Sequence, residues 1–409
     1  RVTQVMNLTD VDDKTIRGAA EAGMELREFT EKHARSFFSD LAILGVVPAE
    51  FYPRATDHVP EMIEIAEKLR RRGHTYESDG SLWFKISTFP PYGRLSGIDL
   101  SQARQGARVV DDEYEKDDPK DFALWKAAKE GEPAWDSPFG RGRPGWHLEC
   151  SAMSMKYLGE HFDIHTGAVD NIFPHHENEI AQSEGATGTP FVNSWLHAEH
   201  LIVDGEKMSK SKGNFYLLRD ILERRDDPSA LRYLFLSVPY RKKLNFTFDA
   251  LAGAGAAVER IRAFDRRLSQ IERSRAAGPP STDRAASRIV RFDAEFDAGL
   301  ADNLNTAQAL AALFDFVRDV NLAADDNSLS SEQAASCRAA LRRADSVLGV
   351  LPADEEILPA DIERLIAERL EARRRRDFAR SDAIRDELSG KGILLEDTPQ
   401  GTRWKKAGS

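Results

Sequence analysis

The apolar residues of this chain change their spacing near Asn214, and that change limits what the chain can fold into more than any other feature. Before it, strand-like runs such as Val2 to Leu8 and Leu201-Ile202-Val203 alternate with helical spacing over residues 14–45 and 56–72, the latter marked by Ile63, Ile65 and Leu69. Such alternation is the grammar of an α/β domain. After it, Val258, Ile261, Phe264, Leu268 and Ile271 recur at three- and four-residue steps, as do Leu310, Leu313, Phe314, Val317 and Val320. Apolar residues at that period make a helix buried along one side, so a helical bundle is expected. Between about 74 and 144 the pattern loosens into short runs, Leu82-Trp83-Phe84 and Val109-Val110, among Gly, Pro and Asp. This predicts a partly β module inserted into the α/β core. Gly278-Pro279-Pro280 punctuates the bundle, and Pro352 to Pro359 marks a linker before a final module.

The chain's 409 residues suffice for two or three domains. No apolar run is long enough to span a bilayer and the amino terminus is not signal-like, so a cytoplasmic protein with no membrane partner is expected. Cys150 and Cys337 are far apart in regions of different character, which argues against a disulfide framework. The net charge of -11 argues against nucleic acid as a partner, but it is unevenly spread. Residues 361–409 carry 12 Lys and Arg against 10 Asp and Glu, a net of +2, which leaves -13 for residues 1–360. A polyanion would be met by the tail.

Two clusters carry chemistry. Gly145-Trp146-His147-Leu148-Glu149-Cys150 is followed by Phe173-Pro174-His175-His176-Glu177-Asn178-Glu179, and together they offer thiol, imidazole and carboxylate, the side chains that hold zinc. If Pro174 opens a helix, His175 and Glu179 are four apart on one face and could share a metal with Cys150. On the residues alone, a buried Cys150 beside a solvated helix end fits as well. Cys337, among Ala and Ser on a bundle helix, reads as a buried small residue.

The second cluster is Lys207-Met208-Ser209-Lys210-Ser211-Lys212-Gly213-Asn214. Three lysines, two hydroxyls and a glycine on a loop suit a triphosphate whose charge must be neutralised as it reacts. The loop follows a strand-like run and closes the α/β region, where ligand loops belong.

Lys207 to Ser211 matches the KMSKS signature of class I aminoacyl-tRNA synthetases without a change. With the segments ending at Cys150 and Glu179, with Asn7-Leu8-Thr9-Asp10-Val11-Asp12-Asp13-Lys14, and with Glu396-Asp397-Thr398-Pro399-Gln400-Gly401-Thr402-Arg403-Trp404, the chain closely resembles cysteinyl-tRNA synthetase over nearly its whole length. The resemblance implies a Rossmann-like catalytic domain over 1–215, interrupted by a connective insertion at about 74–144. It further implies a linker and helical bundle over 216–352 and a basic anticodon-binding module over 353–409.

The same resemblance implies Zn2+ held by Cys150, His175 and Glu179, with Thr9 and Trp146 lining the pocket for L-cysteine. Asp170 would receive adenosine. Lys207, Met208, Ser209, Lys210 and Ser211 would bind ATP with its Mg2+, Lys207 and Lys210 acting in catalysis. Arg373, Arg374, Arg375, Arg376, Arg403 and Trp404 would contact tRNA(Cys), and a monomer is expected. The family also opens with a strand carrying a fourth zinc-ligand cysteine and a His-Ile-Gly-His motif, neither of which occurs in these residues. The expectation is therefore that the chain as given lacks an amino-terminal segment and does not activate cysteine alone. Rival readings are a cysteine ligase for a small amine of the mycothiol type, a zinc hydrolase, and a non-catalytic RNA-binding paralogue.

Overall fold

The computed structural model describes residues 1–98, 120–225, 227–274, 284–352, 360–375, 377–391, 393–398 and 401–406. Val109-Val110, Gly278-Pro279-Pro280 and the stretch from 353 to Pro359 lie outside them. The chain divides into two compact units, Arg1–Val350 and Leu351–Ser409.

The amino-terminal stretch differs from the strand expected over Val2 to Leu8. Only isolated parallel bridges form, Val5 with Phe51 and Leu8 with Arg54. The helical spacing over 14–45 resolves into two helices, α1 (Asp13–Ala22) and α2 (Leu26–Ile43). Asp12 and Thr15 cap the first reciprocally, and Gly23 ends it at φ 62°, a conformation glycine adopts without a Cβ penalty. α3 (Val59–Arg71) follows, with Pro60 in its first turn and Met62, Ile65, Ala66 and Leu69 buried.

β1 (Thr75–Ser78), β2 (Ser81–Phe84), β3 (Phe122–Ala127) and β4 (Gly142–Pro144) form an antiparallel sheet in that order. Its inner residues Leu82, Phe84, Leu124 and Trp125 join Met62, Leu69, Leu148 and Ile180 in one core. Arg143, itself buried, ties this sheet to α1 through Asp13 and holds Glu132 at 2.9 Å.

α4 (Trp146–Leu158) leads to β5 (Phe162–Ala168), and α5 (Glu177–Thr187) to β6 (Val192–Ala198), the two strands pairing in parallel. β7 (Leu201–Val203) pairs antiparallel with β8 (Glu206–Lys207) and parallel with β9 (Leu244–Phe246). α6 (Leu218–Arg224) and α7 (Pro228–Leu236) lie between β8 and β9 in the chain. Their core joins Ile221, Leu231 and Leu234 to Val203 and Phe246, with Leu44 and Met208 packed against it.

The bundle comprises α8 (Phe248–Ser274), α9 (Arg284–Ala301), α10 (Thr306–Asp325) and α11 (Ser331–Leu348). Phe292 stacks on Phe316 at 4.5 Å and Phe264 meets Phe316 edge-on at 5.9 Å. Cys337 is fully buried there, which pushes its thiol up to about 11. In the second unit α12 (Ala360–Arg374) and α13 (Phe378–Gly390) bury Ile362, Leu365, Ile384 and Leu388 together with Ile393, the first residue of a hairpin of β10 (Ile393–Thr398) and β11 (Gly401–Lys406). Among the described residues no helix is long and apolar enough to cross a membrane.

Candidate active site and metal centre

Cys150 lies in the second turn of α4 and Glu179 in the first turn of α5. The helix opens as expected: Phe173 is extended, and from Pro174 the backbone is helical through His176 and runs on into α5 without a break. His175 lies in that opening turn, one helical turn before Glu179, and its Nε2 stands 2.9 Å from Oε1 of Glu179. One ligand atom each from Cys150, His175 and Glu179 lies within 4.8 Å of the others. The carboxylate and imidazole are almost completely buried.

A second group, missed in the sequence, shares Glu179. Nε2 of His165 lies 2.8 Å from Oε2 of Glu179, and Nδ1 of His176 lies 2.8 Å from Nε2 of His197. Nδ1 of His147 approaches Nδ1 of His175 at 2.8 Å. His165 and His197 sit on β5 and β6, two positions apart in register, so both project from the same face of the sheet. A histidine at alternating positions in two half-buried strands was the available signal.

Electrostatics sorts these groups. Burial would raise the carboxyl of Glu179, but His165 and His175 hold it well below the usual range, so it stays ionised. Burial pushes the thiol of Cys150 well up, and the carboxylates of Glu179 and Glu149 add to this. Burial lowers His147 strongly, His175 adding to it, and lowers His176 to about 3. For His165 burial acts downward, but the Glu179 carboxylate outweighs it and the net shift is upward. The site sets one anionic carboxylate beside His165, which is shifted toward its protonated form, and near His147 and His176, which are shifted toward the neutral form.

A Cβ on Gly167 would lie 2.6 Å from Cε1 and 2.8 Å from Nε2 of His176. That ring is buried and held by His197, so it has little room to yield. Gly167→Ala is accordingly expected to destabilise the protein by about 1–3 kcal/mol, the usual cost of overpacking, read as a lower denaturant midpoint at unchanged slope.

Around this centre Trp146 is 46% exposed, with its ring 4.3 Å from that of His175. Nδ2 of Asn7 donates to Oγ1 of Thr9 at 3.3 Å and reaches Sγ of Cys150 at 3.6 Å, which places Thr9 beside the same centre. Asp170 is exposed in the turn that follows β5. Lys207 ends β8 and is exposed, while Met208 is partly buried against the α7 core. The backbone N–H of Ser209 donates to Oδ1 of Asn214 at 2.8 Å, and the hydroxyls of Ser209 and Ser211 are 3.3 Å apart. In the second unit Arg373 is exposed and Arg375 pairs with Glu371. Arg376 lies outside the described residues, as do the side chains of Lys210, Arg374, Arg403 and Trp404.

Residues 1–256 match the family profile for class I (C) tRNA synthetase catalytic domains, residues 295–352 a DALR domain, and residues 356–404 the cysteinyl-tRNA ligase anticodon binding domain. The cysteine–tRNA ligase of Solibacter usitatus is 48% identical over 409 residues, spanning 99% of this chain and 87% of that protein. The chain belongs to the cysteine–tRNA ligase family. A cysteine–tRNA ligase of Leptospira interrogans is 48% identical over 99% of this chain and 87% of its own length. Methionyl-tRNA synthetase of Mycobacterium tuberculosis in complex with methionyl-adenylate shares the fold at a TM-score of 0.61, with 16% identity, 85% of this chain and 82% of that one. The α/β catalytic class, the helical domain after it and the terminal anticodon-binding domain thus agree with the fold class expected from the sequence.

Proposed function

We propose that this protein activates L-cysteine with ATP to cysteinyl-adenylate and transfers the cysteine to the 3′ end of tRNA(Cys), as a cytoplasmic monomer. The observation that carries the reading is the meeting of Cys150, His175 and Glu179 in one donor set within a chain of this family.

Those three residues would hold Zn2+. The donor chemistry fits, since thiolate, imidazole and carboxylate are zinc's usual ligands. Oε1 of Glu179 is also buried without a hydrogen bond, His175 lying close but off the necessary line, so a cation would satisfy it. When bound, the ion supplies a Lewis acid that prefers the thiolate of cysteine to the hydroxyl of serine. His165 orients the other oxygen of Glu179, the outer support that metal-binding carboxylates usually have.

The protein's other residues would bind and align. Trp146 and Thr9 border the amino-acid pocket, and Asp170 would accept ribose hydroxyls. Lys207, Met208, Ser209, Lys210 and Ser211 would receive the triphosphate with its Mg2+. A carboxylate oxygen of cysteine attacks the α-phosphorus, the bond to diphosphate breaks, and Lys207 and Lys210 offset the charge that develops. A terminal ribose hydroxyl of the tRNA then attacks the carbonyl, and AMP leaves. Residues 1–215 carry activation, 216–352 form the scaffold, and 353–409 meet the anticodon, with Arg373, Arg374, Arg375, Arg376 and Arg403 on phosphates and Trp404 on a base.

Cysteine-dependent pyrophosphate exchange and tRNA charging, measured on the full-length protein and on one ending at Val350, test this division. The shortened protein is expected to retain exchange. One stacked base alone is worth about 1–3 kcal/mol, so its charging at limiting tRNA should fall at least about tenfold. Exchange supported equally by serine, or undiminished charging after the cut, would refute the reading.

A further inference from the structure

Arg232, on α7, lies away from the site just described, and its guanidinium is spent on backbone carbonyls. Nη1 donates to the carbonyls of Leu44 at 2.9 Å and Gly45 at 3.1 Å, just past the end of α2. Nη2 donates to the carbonyl of Val347 at 3.2 Å and Nε to that of Leu348, the last residues of α11. The last carbonyls of a helix have no partner inside it and carry the negative end of its dipole. Here two such ends, far apart in sequence, converge on one cation.

Gly349 makes the approach possible. It ends α11 at φ 62°, and a Cβ there would lie 2.8 Å from Nε of Arg232. Leu44 beside the clamp packs into the core that also takes Met208 and Leu231. Past the other helix end the chain passes at Leu351 into the unit whose residues 356–404 match the anticodon-binding family.

We infer that Arg232 is a positioning residue for tRNA charging: by fastening the end of α11 to α2 and α7 it fixes the point at which the chain leaves the first unit. This rests on the function proposed above. Cysteine activation needs no such fixed point, because Met208 holds the Lys207 loop to this core by apolar packing and not through the guanidinium. Loss of the clamp should therefore divide the two half-reactions, with a coupling of the size usual between distant sites.

The test uses the full-length protein and the variants Arg232→Ala, Arg232→Lys and Gly349→Ala, each checked for cooperative thermal unfolding. Pyrophosphate exchange is expected to stay within about twofold while kcat/KM for tRNA falls about tenfold or more, a coupling of ordinary magnitude. Arg232→Lys keeps the charge without the fork and should fall between. Gly349→Ala, which displaces the guanidinium without removing it, should reproduce the split. Hydrogen exchange adds a readout independent of activity: amides at 41–46 and 345–350 should lose protection together. Equal losses in exchange and charging, no loss in charging, or deprotection of one helix end alone would overturn the inference. Absence of exchange in the unsubstituted full-length protein would instead refute the functional reading, while the paired deprotection would still decide whether the clamp exists.

Discussion

Cys150→Ser is expected to lower zinc affinity by more than about 10²-fold, since even outer-shell partners are worth 10–100-fold and this change removes a direct soft ligand. Elemental analysis after dialysis against a weak chelator should find about one zinc per chain in the unsubstituted protein and almost none in the variant. Cysteine-dependent exchange should fall with it. Cys337→Ser is the control, because that thiol is fully buried in α11 away from the cluster, and zinc should be unchanged. The sign of the pH dependence follows from burial. The Cys150 thiol is pushed up and so is protonated near neutrality when no metal is bound. Binding must displace that proton, so zinc should be held more weakly as pH falls. Full occupancy in Cys150→Ser, or zinc retention that improves in acid, would overturn the assignment.

Lys207→Ala should lower kcat for exchange by ~10²–10³ with little change in the KM for cysteine, the loss typical of a preorganised group that meets charge only in the transition state. Lys210→Ala should behave alike, on the strength of the motif. Lys212 offers the contrast within the same loop. Its ammonium is already paired with Glu206 at 2.7 Å, whereas Lys207 has no acidic partner among the described residues. Lys212→Ala should therefore cost little, as exposed ion pairs generally do. If all three substitutions cost the same, the loop acts only by its net charge and the roles given to Lys207 and Lys210 are wrong.

Periodicity made the helices legible, since Val258, Ile261, Phe264 and Leu268 are all buried at the spacing that named them. It could not show that residues 14–45 break at Gly23, because an isolated glycine inside a helical pattern can be tolerated and does not by itself mark an end. Val2 to Leu8 failed as a strand because a strand is defined by what it pairs with, and the pairing here amounts to two bridges with Phe51 and Arg54. In the site, Cys150, His175 and Glu179 could be named because two of them are four residues apart and the third completes a familiar set of donors. His165 and His197 could not. They reach Glu179 and His176 only through the parallel pairing of β5 with β6, a long-range fact that local spacing does not contain. The helical turn that carries His175 was legible for a local reason: proline favours the first turn of a helix, and Phe173 is extended immediately before it.

Glu179 offers one oxygen toward His175 and the other to His165, and His165 lies flat against Trp195, its register partner, with ring centres 4.7 Å apart. One carboxylate thus joins the pocket to the sheet behind it. Groups that act through a shared atom do not contribute independently, which bears on how such a pocket could ever be redesigned. A library that varies one position at a time would sample losses almost exclusively, because each change strands the partners left behind. A pocket for a longer thiol or a selenol has to be sought by varying positions 165, 175, 179 and 195 as one block. For a lineage drifting under selection the expectation is the same: a change at one of these four positions should call for changes at the others.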